Sequence, residues 1–147
     1  MTMELAKQTR YLPATIEDLS KFVLVGRERL RSVSATIRAI DTFDLGKEVR
    51  EQKKEEAQVL AEALLDAETR IGELLRDMPR TKKLMTESHS GLILGTLLPE
   101  GITRNQSSQF QKMAAHKDVI EQVKAEARKN DELPTMAAVL EAIKSIE

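Results

Sequence analysis

The residue types best suited to chemistry gather in one short stretch. After Gly101-Ile102 the chain reads Thr103-Arg104-Asn105-Gln106-Ser107-Ser108-Gln109-Phe110-Gln111-Lys112. Thr103 and Gln106 have the spacing of a capping box, in which the threonine hydroxyl accepts from the amide three residues on and the glutamine reaches back. That predicts a helix over about Arg104 to Ala115. Phe110, Met113 and Ala114 fall on its inner face, which leaves short, polar or basic side chains for the rest. A helix that enters the major groove needs such a surface. Glutamine and asparagine match adenine edges, arginine matches guanine, serine serves either, and lysine suits phosphates. Arg104, Asn105, Ser107, Ser108, Gln111 and Lys112 are therefore the candidate DNA-binding residues, with Lys82 and Lys83 as a basic pair upstream.

Other groupings carry less. His89 and His116 stand far apart, with no partner one helical turn away and no carboxylate at metal-ligand spacing. Gly91 and Gly95 lack the Lys-Ser/Thr ending of a phosphate loop and lie in an apolar run. Ser88-His89-Ser90 puts serine beside histidine, but adjacency in sequence is not triad geometry. Acidic residues of the middle region interleave with lysine and arginine as solvated helix faces do. There is no cysteine, which excludes a disulfide framework, a thiolate zinc site and a cysteine nucleophile. The four aromatics, Tyr11, Phe22, Phe43 and Phe110, are too few and scattered for a single-strand stacking platform. No enzymatic activity, cofactor or metal site is expected.

The elements that would position the candidate site are helical. The apolar run Gly91 to Leu98 and the turn Pro99-Glu100-Gly101 precede the capped helix, which is the anatomy of a helix-turn-helix. Two amphipathic stretches follow: Val119, Ile120, Val123 and Ala127, then Met136, Val139, Leu140, Ile143 and Ile146, the latter opened near Pro134-Thr135. Upstream, Thr15 and Asp18 read as a helix start, and apolar residues from Ile16 to Ile40 form one stripe interrupted by Gly26. A short connection is expected over Asp41 to Gly46.

A second long helix is expected from about Lys47 to Met78, roughly 48 Å at 1.5 Å per residue. Its seam of Leu60, Leu64, Ala67, Ile71, Leu74 and Met78 suits an antiparallel hairpin with the first helix and, compatibly with that, a homodimer interface. The expected fold is thus all-α, a long helical hairpin or coiled-coil arm followed by a small helix-turn-helix module. The expected division is 1–79 arm, 80–90 linker and 91–147 module.

Whole-chain charge is nearly balanced, 23 basic against 24 acidic residues, so it argues for neither nucleic acid nor membrane. Locally the balance differs. Between Arg80 and Lys117 six basic residues (Arg80, Lys82, Lys83, Arg104, Lys112, Lys117) face two acidic ones (Glu87, Glu100), whereas Lys47 to Met78 holds six basic and nine acidic. No stretch approaches the ~20 apolar residues of a membrane span, and the start lacks a secretory pattern. A cytoplasmic protein without membrane association is expected.

Ala67-Glu68-Thr69-Arg70-Ile71-Gly72-Glu73-Leu74-Leu75, followed after a loop by Ile102 to Ala114, resembles a group of uncharacterised phage and mobile-element proteins. In them a helix ending R-x-G-E-L-L precedes a G-I-[ST]-x-x-Q-S-S segment, which is also similar to the helix-turn-helix of ParB-like partition proteins. The resemblance spans roughly Ala67 to Lys144. It implies no settled biochemical role by itself. Taken with the capping box, the turn and the local basicity, the leading expectation is a dimeric DNA-binding protein acting in transcription, replication or segregation of a phage, plasmid or mobile element, with double-stranded DNA and a second copy of the chain as partners. An alternative reading is a coiled-coil interaction protein, an adaptor or inhibitor of a host or phage protein that binds no DNA.

Overall fold

The computed structural model describes residues 12–44, 46–78 and 102–147. Among them are five α-helices and no strand: α1 (Ile16–Phe43), α2 (Lys47–Asp77), α3 (Arg104–Ala115), α4 (Lys117–Lys129) and α5 (Met136–Ile146). The fold is all-α.

Three of these helices, α1, α3 and α5, open on a threonine side-chain cap. The Thr15 hydroxyl accepts from the Asp18 amide at 3.2 Å and opens α1. The expected connection at Asp41 lies instead within the helix, which continues to Phe43 and closes at Asp44 in a left-handed conformation (φ 53°), with the Asp44 N–H bonded to the Ile40 carbonyl. Ile40 is buried, so packing holds the last turn helical. At the end of α4 the Glu132 amide donates to the Ala127 carbonyl and the Asp131 amide to Arg128, with Asp131 at φ 59°. This is a Schellman closure with aspartate in the place usually taken by glycine. The Thr135 hydroxyl accepts from the Ala138 amide and starts α5.

The hairpin of α1 and α2 is built around a close approach. Gly26 lies in the middle of α1, and a Cβ there would sit 2.6 Å from Leu64 Cδ2. The helix runs unbroken through this glycine and uses the missing methyl to admit Leu64. Ion pairs line the same interface: Arg27 to Glu68 at 2.7 Å, Arg29 to Glu56 at 2.6 Å and Arg50 to Asp41 at 2.6 Å.

From Ala57 to Leu75, α2 is buried on more than one side. Leu60, Leu64, Ala67 and Ile71 of the expected seam are buried, and Leu74 and Met78 pack at the edge of the core. Leu65, Thr69 and Gly72, off the seam, are buried as well. Within the protomer these residues pack against α1 and the C-terminal helices, as the hairpin expectation has it.

One apolar cluster takes residues from all five helices. Leu19 and Val23 of α1 join Leu65, Ile71 and Leu75 of α2, Phe110 and Met113 of α3, Val119 and Ile120 of α4, and Val139 and Ile143 of α5. A row of ion pairs fastens α4 to α2: Lys117 to Glu73 (2.9 Å), Lys124 to Asp66, and Arg128 to Glu62 (2.6 Å). Lys54 reaches Asp131 just beyond α4 at 2.9 Å. Acids of α2 thus meet cations of α4 inside one molecule, and of the six cations counted from Arg80 to Lys117 only Lys117 takes part in this row. No helix among the described residues is long and apolar enough to cross a membrane.

Candidate nucleic-acid interface

The capping box on which the candidate helix rests is present in both directions. The Thr103 hydroxyl accepts from the Gln106 amide at 3.1 Å, and the Thr103 amide donates to Gln106 Oε1 at 3.1 Å. The helix runs from Arg104 to Ala115, as the spacing predicts, and buries Phe110, Met113 and Ala114. Ile102, just ahead of the cap, also enters the core. The start of α3 is therefore anchored from both sides of its first residue.

The candidate contact residues do not all share one environment. Arg104, Asn105, Ser108 and Lys112 are exposed, and positions 104, 108 and 112 repeat at four-residue steps along one face. Ser107 is buried (7% exposed). Its hydroxyl accepts from Gln111 Nε2 at 2.9 Å, and Gln111 is only half-exposed. Ser107 therefore stands apart from the outward stripe, and Gln111 belongs to its edge. The reason is local. Ser107 lies three residues before Phe110, so the turn that seats the phenyl ring also turns Ser107 inward. Lys82 and Lys83, with the 80–90 linker, the 91–98 run and the turn to Gly101, lie outside the described residues.

The outward face of α3 carries no acid. The sequence from Arg104 to Ala115 contains two cations and no carboxylate. Neither Arg104 nor Lys112 enters an ion pair among the described residues, whereas Lys117, Lys124 and Arg128 on the next helix all do. Lys117, counted with the basic region in the sequence, thus serves the interior of the molecule. His116 forms the junction of α3 and α4. Its amide donates to Met113 and its carbonyl accepts from Val119 at 3.1 Å, so its main chain joins the two helices in a single residue.

Gly72 is the feature that patterns of reactive side chains overlook. A Cβ on it would lie 1.9 Å from the Phe110 carbonyl oxygen, 2.4 Å from its carbon and 3.0 Å from the Gln111 nitrogen. Here the backbone of α3 rests directly on α2. A glycine inside an otherwise strong helix costs about 1 kcal/mol against alanine, and that local cost is the signal from which a close crossing was readable. It is also the glycine of the R-x-G-E-L-L segment.

Burial perturbs two acids behind the interface. It pushes the Glu68 carboxyl up, more than the Arg27 hydrogen bond and charge bring it down. It likewise raises Asp66 against the opposing pull of Lys124. Neither acid lies on α3. No family model, curated protein or solved structure matches this chain.

Proposed function

We propose that the chain is a non-enzymatic protein that binds double-stranded DNA by laying α3 in the major groove. The observation that carries this reading is the outward stripe of Arg104, Asn105, Ser108 and Lys112, free of carboxylates, on a helix whose opposite face is locked into the core. A recognition helix needs that combination: rigid seating, slim polar side chains and a positive edge. Gln111, at the edge of the stripe, reaches bases only by giving up its bond to Ser107, a modest cost for a side chain already half in water. Transcription, replication or segregation control of a phage, plasmid or mobile element is the setting that suits such a module.

A twofold dimer is the usual partner arrangement for this kind of helix. Among the described residues, the outward side of α1, with Leu24, Val25 and Phe43 exposed, is one apolar surface that could serve it. The same residues favour the second reading, a helical adaptor that docks another protein and no DNA.

Selection on random duplexes followed by salt-titrated binding tests the proposal. Lys112→Ala is expected to weaken binding to every sequence and flatten the salt dependence, because a phosphate contact releases counterions wherever the protein lands. Asn105→Ala and Ser108→Ala are expected to lose about 1–3 kcal/mol on the selected site and little elsewhere. No enriched motif, with affinity unchanged between low and moderate salt, would sink the DNA reading and favour the adaptor.

A further inference from the structure

The candidate interface so far belongs to one helix, and duplex binding by one helix needs anchoring from its support. The backbone of α3 touches α2 at Gly72. One turn further along α2, on the same face, stands Arg76. It is exposed, and among the described residues it makes no ion pair. The acid nearest to it by helical spacing, Glu73, is taken on both oxygens, by Arg70 at 3.2 Å and by Lys117 at 2.9 Å. Asp77 follows it in sequence but projects about 100° around the helix. Arg76 thus stands, exposed, one helical turn beyond the point at which α3 crosses α2.

We infer that Arg76 is a phosphate clamp of the same DNA site, contributed by α2 and held beside α3 by the Gly72 crossing. The inference rests on the DNA reading above and adds its backbone contact. Arginine offers a planar fork of donors that matches two phosphate oxygens at once. Its role is orientation rather than readout: with the guanidinium on a phosphate and α3 in the groove, two helices fixed to each other grip the duplex at two points, and the angle of entry is set. Direct contact of α2 backbone with α3 backbone makes the spacing between the two grips rigid.

The test uses the full chain and two duplexes, the selected site and a scrambled one, over a range of salt. Arg76→Ala is expected to weaken both by the same factor, roughly fivefold to tenfold at about 0.1 M salt, and to lower the salt slope by about one. Arg76→Lys, which keeps the charge and loses the fork, is expected to keep the slope and recover part of the affinity. Thermal melting of both variants should equal that of the parent, because the side chain is exposed. If Lys112→Ala weakens binding while Arg76→Ala changes neither affinity nor slope, Arg76 is no part of the site and the DNA reading survives. If the unmodified chain binds neither duplex at any salt, both fall together.

Discussion

A single absent methyl group decides where α3 can lie. At Gly72 the atoms that an added Cβ would meet are the carbonyl and amide of another helix's backbone, which have no rotamer to escape into. At Gly26 the nearest atom is the terminal Cδ2 of Leu64, which can rotate. Both substitutions to alanine gain about 1 kcal/mol of helix propensity. Gly26→Ala is therefore expected to melt close to the parent, whereas Gly72→Ala is expected to lose about 1–3 kcal/mol through forced displacement of α3. Equal melting temperatures for the two variants would show that the α2–α3 crossing is looser than described. Glu68 gives the other residue-scale expectation. Its side chain is only 4% exposed and bonds to Arg27, and burial holds its folded pKa above the ordinary value of 4.5. The unfolded chain therefore loses this proton at lower pH than the folded one. Stability contributed by Glu68 is full below the ordinary value and is lost as pH rises through the raised one. Glu68→Gln removes that loss, so the variant should gain on the parent as pH rises from about 4.5 to about 7. A difference in melting temperature that stays constant across that range would contradict the assignment.

At the scale of elements, helix positions were legible because their signals are local. Thr15, Thr103 and Thr135 each cap a helix through the amide three residues on, and that chemistry needs no knowledge of the fold. The inner face of α3 was legible for the same reason, since Phe110, Met113 and Ala114 are apolar at helical spacing. What α2 packs against was not. Its second buried side is disguised by Gln58, Glu68 and Thr69, buried polar residues that a hydrophobic stripe does not register. Thr69 satisfies its hydroxyl on the Leu65 carbonyl at 2.7 Å, a bond that exists only once the helix has formed. The inward turn of Ser107 escaped for a related reason, because serine carries no hydropathy that points to one side. The distinction between an internal seam and a dimer seam has a direct consequence. Leu64→Asp puts a carboxylate against α1, and several kcal/mol should be lost from the folding of the protomer itself. Sedimentation and melting at two protein concentrations check this. A loss of stability that grows on dilution, with a halved mass, would give the seam an intermolecular role as well.

At the scale of the molecule, the decisive fact is that residues from both sides of 79–101 share one core. Leu19 and Val23 from the first helix and Val139 and Ile143 from the last belong to the same cluster, with the ion pairs between α2 and α4 laid along its flank. Surface pairs of this kind contribute little each, so apolar contact must carry the association of the hairpin with α3, α4 and α5. Met113 is fully buried at the centre of that contact. Met113→Ala is expected to cost about 2–5 kcal/mol, and the cost should not stay within the C-terminal helices. In native-state hydrogen exchange, the most protected amides of α1 and α2 should lose protection by the same free energy as those of α5, because global opening is their common route to solvent. Protection lost in α3 to α5 alone, with α1 and α2 untouched, would mean that the hairpin opens as an independent unit. The rigid seating of α3, on which the proposed angle of entry into the groove depends, would then have to come from the Gly72 crossing without the shared core.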